Sequence, residues 1–195
     1  SGAKLLVADQ NYDLGDVAGE HGAVLECLNG DGSGSFCDLA QNASDQFATA
    51  DRGRDDLAAF LYTSGTTGNP KGVLYSHRST TLHAMQVALS FANALHEGAR
   101  VLPIVPLFHV NAWGLPFTCP LVGASLIFAG PFLDGPSLFE LMDSQQVTSA
   151  WGVPTVLTAV LKEIKRAGRT PTGLNNILVG GSAISLGFID DYEDL

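Results

Sequence analysis

The ten residues Thr63 to Gly72, TSGTTGNPKG, hold four hydroxyls, three glycines, one proline and one lysine, directly after the apolar run LAAFLYT. Glycines let a backbone approach a ligand with no Cβ in the way. Successive backbone N–H groups in such a loop form a concavity that suits an anion. The hydroxyls of Thr63, Ser64, Thr66 and Thr67 add donors, Gly65 and Gly68 allow close approach, and Lys71 adds a compact charge on a mobile stem. A chain of phosphates would use all of these together, whereas a plain polar turn needs none of them. The spacing is not that of a Walker A loop, G-x-x-x-x-G-K-[ST]. Only two residues separate Gly65 from Gly68, Lys71 is detached from Gly68, and Gly72 stands where the magnesium-binding hydroxyl would be. The phosphates are therefore expected to be held differently from those of a P-loop ATPase.

Three later segments carry further candidates. PLFHVNAWGLPF contains His109 and Trp113, WGVPTVL contains Trp151, Gly152 and Pro154, and LVGGSA contains Gly180, Gly181, Ser182 and Ala183. Taken alone, a histidine in an apolar stretch is more often a satisfied core residue than a ligand, and a tryptophan more often packing. The glycine pair alone reads as a strand-to-helix turn. His77 and His83 are read as structural.

The string YTSGTTGNPKGV resembles the signature loop of the adenylate-forming superfamily, whose members include acyl-CoA synthetases, peptide-synthetase adenylation domains and luciferases. The three later segments follow in that superfamily's order, and PLFHVNAWGLPF is most similar to fatty-acyl-CoA synthetases. The likeness covers nearly the whole chain, most firmly from residue 57 onward. Residues 1–56 are a looser match, with a flavour of malonyl-CoA synthetases. The resemblance implies a reaction in which a carboxylate attacks the α-phosphate of ATP, giving an acyl adenylate, and coenzyme A then displaces AMP. It implies that Thr63, Ser64, Gly65, Thr66, Thr67, Gly68 and Lys71 hold the β- and γ-phosphates, with Lys71 balancing charge on departing pyrophosphate. It implies that His109 lies near the reacting carboxylate, that Trp113 gates the acyl tunnel, and that Gly180, Gly181, Ser182 and Ala183 line the acyl pocket and one side of adenine. ATP, Mg2+ and coenzyme A are the implied substrates and ion, a medium- or long-chain fatty acid the implied acid, and no protein metal site is expected. The alternatives are malonate or another carboxylate, or a non-catalytic phosphate-binding piece.

These groups need a scaffold, and the apolar patterning supplies one. Short buried strands (AKLLVAD, AVLECL, LAAFLYT, GVLYS, VLPIVP, SLIFAG, VTSAWGV, NNILVGG) alternate with helical stretches such as PSLFELMDSQQ and PTVLTAVLKEIKRAG. Such alternation predicts α/β architecture with a largely parallel sheet and flanking helices. After Arg78, Leu82, Met85, Leu89 and Ala92 recur at helical spacing, with Ser79 or Thr80 as the N-cap. A helix begins within SLGFIDDYEDL and is expected to run on to residue 195. No acidic or basic residue occurs from 101 to 133, long enough to span a bilayer. Prolines at 103, 106, 116, 120 and 131 break any such helix, so strand, loop, helix and strand of a buried core are expected.

Charge and cysteine content bound the setting. Formal net charge is −10, with 11 acids against 3 bases in residues 1–60 and no basic run anywhere, which argues against nucleic acid. Three cysteines without C-x-x-C spacing point to a reducing, cytoplasmic setting and away from zinc. The expectation is an incomplete portion, 1–195, of one adenylate-forming N-terminal domain, with an acidic segment 1–56, a motif-bearing core 57–195 and no C-terminal domain. Such a portion is expected to be unable to complete adenylation alone, and its exposed apolar faces to favour self-association.

Overall fold

The computed structural model describes residues 4–9, 11–28, 33–46, 48–63 and 68–195. The chain divides into two compact units, 1–51 and 52–195. In the first, β1 (Leu5–Ala8) and β2 (Val24–Cys27) pair in parallel, Leu5 opposite Val24 and Ala8 opposite Cys27. Helix α1 (Gly15–Glu20), which the apolar patterning does not mark, makes the crossover, and α2 (Ser35–Gln41) follows.

The second unit begins with an antiparallel hairpin, β3 (Leu57–Thr63) and β4 (Lys71–Ser76). Helix α3 (His77–Ser90) starts without a linker, because Ser76 and Ser79 form a reciprocal box. Ser79 N–H donates to Ser76 Oγ at 3.1 Å and Ser76 N–H donates to Ser79 Oγ at 3.0 Å. Ser76, not Ser79 or Thr80, is therefore the cap. Leu82, Met85 and Leu89 point outward, at 59%, 49% and 81% exposure, while Ala84 is buried. The helix thus packs through smaller residues on the other side of its circumference from the apolar stripe.

The remaining described strands form a parallel sheet in the order β6 (Ser125–Leu126), β5 (Arg100–Pro103), β7 (Ser149–Gly152), β8 (Asn176–Val179). All are short, and β6 reaches only two residues, although Ile127 N–H still donates to Val101 O at 2.8 Å. Side chains alternate between two covered faces, which is why the strands read as continuous apolar runs. Leu102 and Ala150 join a core with Leu138, Met142, Leu157, Val160 and Ile164 of α6 (Gly135–Ser144) and α7 (Pro154–Ala167). Val101 and Trp151 face the other way, into a core with Leu95, Leu115 and Cys119. Leu115 and Cys119 belong to α5 (Leu115–Val122). Burial pushes the Cys119 thiol up to about 11, so it stays a neutral packing group. Proline at its first position and left-handed Gly168 beyond its last bound α7. Helix α8 (Leu186–Glu193) ends with Asp194 N–H bonded to Asp190 O at 3.0 Å, short of residue 195. Among the described residues no helix is long and apolar enough to cross a membrane.

Candidate functional site

The hairpin sets the two ends of the hydroxyl- and glycine-rich loop. Thr63 and Lys71 are cross-strand partners, and the Thr63 hydroxyl donates to Lys71 O at 3.4 Å. Both side chains are exposed, so the lysine ammonium is free to reach an anion over the loop. Gly68 has φ +114°, a conformation that L side chains rarely adopt. Ser64, Gly65, Thr66 and Thr67 lie outside the described residues.

The segment around His109 is a left-handed turn. Val110, Asn111, Ala112 and Trp113 (α4, Val110–Trp113) have φ between 45° and 56°, and Gly114 follows at 79°. Left-handed backbone costs about 1–2 kcal/mol for each residue with a Cβ. Full burial of Ala112 and Leu115 offsets part of that cost. Bonds from Ala112 N–H to His109 O (3.0 Å) and from Gly114 N–H to Asn111 O (2.9 Å) close the turn. The outcome is a placement: the Trp113 indole lies against Gly180, where an added Cβ would sit 3.1 Å from the ring. His109 itself is exposed and precedes the turn, its N–H bonded to Pro106 O at 3.0 Å.

Trp113, Gly180 and Gly181 thereby come together, lining a cavity of about 300 Å³. The other walls are His83, Val87 and Phe91 on α3 and its end, Trp151 on β7, and Leu178 and Val179 on β8. Phe91 meets Trp151 edge-on at 5.1 Å, and Trp113 is tilted against Trp151 at 6.4 Å. Trp151 Nε1 donates to Ser149 Oγ at 2.8 Å, so that indole keeps no unmet polar group. His109, Ser182 and Ala183 are not among the lining residues; the last two are exposed further along the β8–α8 turn.

His83 was expected to be structural, yet among the described residues it is the only ionisable side chain lining this cavity. It also lines a second cavity of about 250 Å³ with Tyr75, Ser79, Thr80 and Asn111. Its ring lies against Gly114, within 2.6 Å of where a Cβ would stand. Thr80 Oγ1 is buried without a hydrogen-bond partner among the described residues. His83, Val87 and Phe91 are spaced four apart, so one face of α3 was visible in the sequence to a search that admitted histidine. Among the described residues no cluster of His, Cys, Asp and Glu could hold a metal.

A family model described as AMP-binding enzyme matches residues 1–195. The chain is 44% identical over 161 residues to a medium-chain-fatty-acid–CoA ligase of Ectopseudomonas oleovorans, covering 83% of this chain and 30% of that protein. It is 43% identical over 160 residues to a 3-methylmercaptopropionyl-CoA ligase of Ruegeria pomeroyi, covering 77% of this chain and 29% of that protein. Among solved structures, ATP-bound MatB from Rhodopseudomonas palustris superposes with a TM-score of 0.77 at 29% identity, covering 98% of this chain and 38% of that one. The chain thus spans about a third of the length of these relatives.

Proposed function

The chain belongs to the AMP-binding enzyme family, and from that premise we propose that it is part of the large N-terminal domain of an acid–thiol ligase that activates a medium- or long-chain fatty acid. In the first step a carboxylate oxygen attacks the α-phosphorus of ATP. The bond to the β-phosphate oxygen breaks, and pyrophosphate leaves. The loop from Thr63 to Lys71 grips the β- and γ-phosphates through N–H groups and hydroxyls, and Lys71 balances the charge that builds on the leaving pyrophosphate. Mg2+ arrives with ATP. His109 orients the carboxylate. In the second step the thiol of coenzyme A attacks the acyl carbon, the thiol proton is lost, and AMP leaves.

The observation that supports an alkyl acid is the cavity itself. Apart from His83 its lining offers aromatic rings, aliphatic side chains and glycine backbone. A second carboxylate placed there would meet no lysine or arginine among the described lining residues, and an unpaired buried charge is costly. That disfavours malonate. A short thioether acid is the second reading, because one relative is a 3-methylmercaptopropionyl-CoA ligase. The whole ligase, assayed for ATP-dependent thioester formation with straight-chain fatty acids, methylmercaptopropionate, dicarboxylates and amino acids, separates these. Thioester from octanoate or longer acids is expected; activity confined to dicarboxylates or amino acids overturns the fatty-acid assignment.

A further inference from the structure

The cavity beside Trp113 has a direction and an end. At one end of the lining the His83 ring lies against Gly114, next to Trp113, whose ring lies against Gly180; at the other, Phe91 lies against Trp151, the register partner of Leu178. The pairing behind Phe91 fixes this sense: Asn93 Nδ2 donates to Asn176 Oδ1 at 2.9 Å, and Asn176 Nδ2 donates to Asn93 O at 3.4 Å. The register places Trp151 opposite Leu178, so both close the same level. The polar mouth therefore lies at the carboxyl ends of the strands, and the far end is the Phe91–Trp151 pair backed by two asparagine amides.

We infer that Phe91 is a length ruler for the acyl chain. This rests on the reading of the cavity as the acyl site. The eight steps from His83 on α3 to Phe91, the residue that follows the helix, advance ~12 Å at helical rise. An extended backbone covers ~3.5 Å in three bonds, about 1.2 Å per bond. The cavity therefore takes about eight to ten carbons before an alkyl chain meets the Phe91 ring. Trp151 is 2% exposed and cannot yield without disturbing the core, whereas Phe91 is 36% exposed. The stop is thus one ring thick at Phe91, and truncating that ring opens the end of the cavity to the surface.

The chain carries two tryptophans, Trp113 and Trp151, and both line this cavity, so its own fluorescence reports occupancy. Straight-chain carboxylates from hexanoate to palmitate, each below its micelle concentration, are titrated into the wild-type chain and into Phe91→Ala and Phe91→Leu. The wild type is expected to gain about fourfold in affinity per added carbon up to decanoate, and then to lose affinity. Both variants are expected to move that break to longer acids, Phe91→Ala further than Phe91→Leu. Affinity that climbs steadily through palmitate in the wild type, or a break that stays in place in both variants, overturns the ruler while leaving the acyl site intact. A chain that responds to no carboxylate of any length overturns the acyl-site reading and the ruler with it.

Discussion

Gly180 shows how much of the site rests on a single missing methyl group. An added Cβ would lie 3.1 and 3.2 Å from Cη2 and Cζ2 of Trp113, closer than ordinary van der Waals contact. Its φ is not in the left-handed region, so alanine meets no backbone obstacle and the cost is steric alone. Gly180→Ala is expected to push the indole aside and to destabilise the chain by about 1 kcal/mol. Urea unfolding checks this, together with the tryptophan emission maximum. An unchanged midpoint and emission would mean that the indole is not seated on Gly180. The opposite surface, His83 over Gly114, shows the same device, with a left-handed φ added.

At the scale of elements, α6 and the loop after α7 are fastened by one carboxylate. Asp143 accepts from Arg169 Nη1 at 3.0 Å and Nη2 at 2.8 Å, and from Thr172 N–H at 2.8 Å. The same guanidinium stacks over Phe139 at 5.0 Å. The bonds from Arg169, then that from Thr172, hold the Asp143 carboxyl far below the usual carboxylate range. A depressed folded-state pKa gives stability above the unfolded value of about 4, and that stability drains away as pH falls below it. Asp143→Asn is expected to be less stable at neutral pH and to lose less of its stability between about pH 4 and pH 2. Thermal unfolding across that range checks it, and parallel pH profiles for the two proteins would remove the clamp from the explanation.

Most strands and the long helices were legible because each buried strand is a short apolar run and each helix carries its own start and stop residues. The packed face of α3 was not. Its apolar stripe through Leu82, Met85 and Leu89 faces out, while its packed residues are Ala84, facing α5, and Val87 and the ring of His83, lining the cavity. Hydrophobic periodicity points at the wrong side when the true contact uses small residues and an imidazole. The left-handed turn was equally hidden. Of its four residues before Gly114, only Asn111 is of a type that favours such a backbone. Trp113 and Gly180 each stood out within a motif, yet their contact and their union with Val87 and Phe91 required tertiary structure.

For the molecule as a whole, a boundary near residue 51 separates an acidic βαβ unit from the unit that carries every described candidate residue. Large apolar side chains stand exposed in the second unit, including Leu89 and Phe108 at 81% each. The idea on which the proposed chemistry turns is that the loop between Thr63 and Lys71 grips polyphosphate. Calorimetric titration of Mg·ATP and of pyrophosphate into the folded chain, beside Lys71→Ala, tests it directly. Both ligands are expected to bind the wild type, and the variant to bind them about tenfold more weakly or worse, the loss of a charged hydrogen bond. Equal binding by the two proteins, or none by the folded wild type, would contradict it.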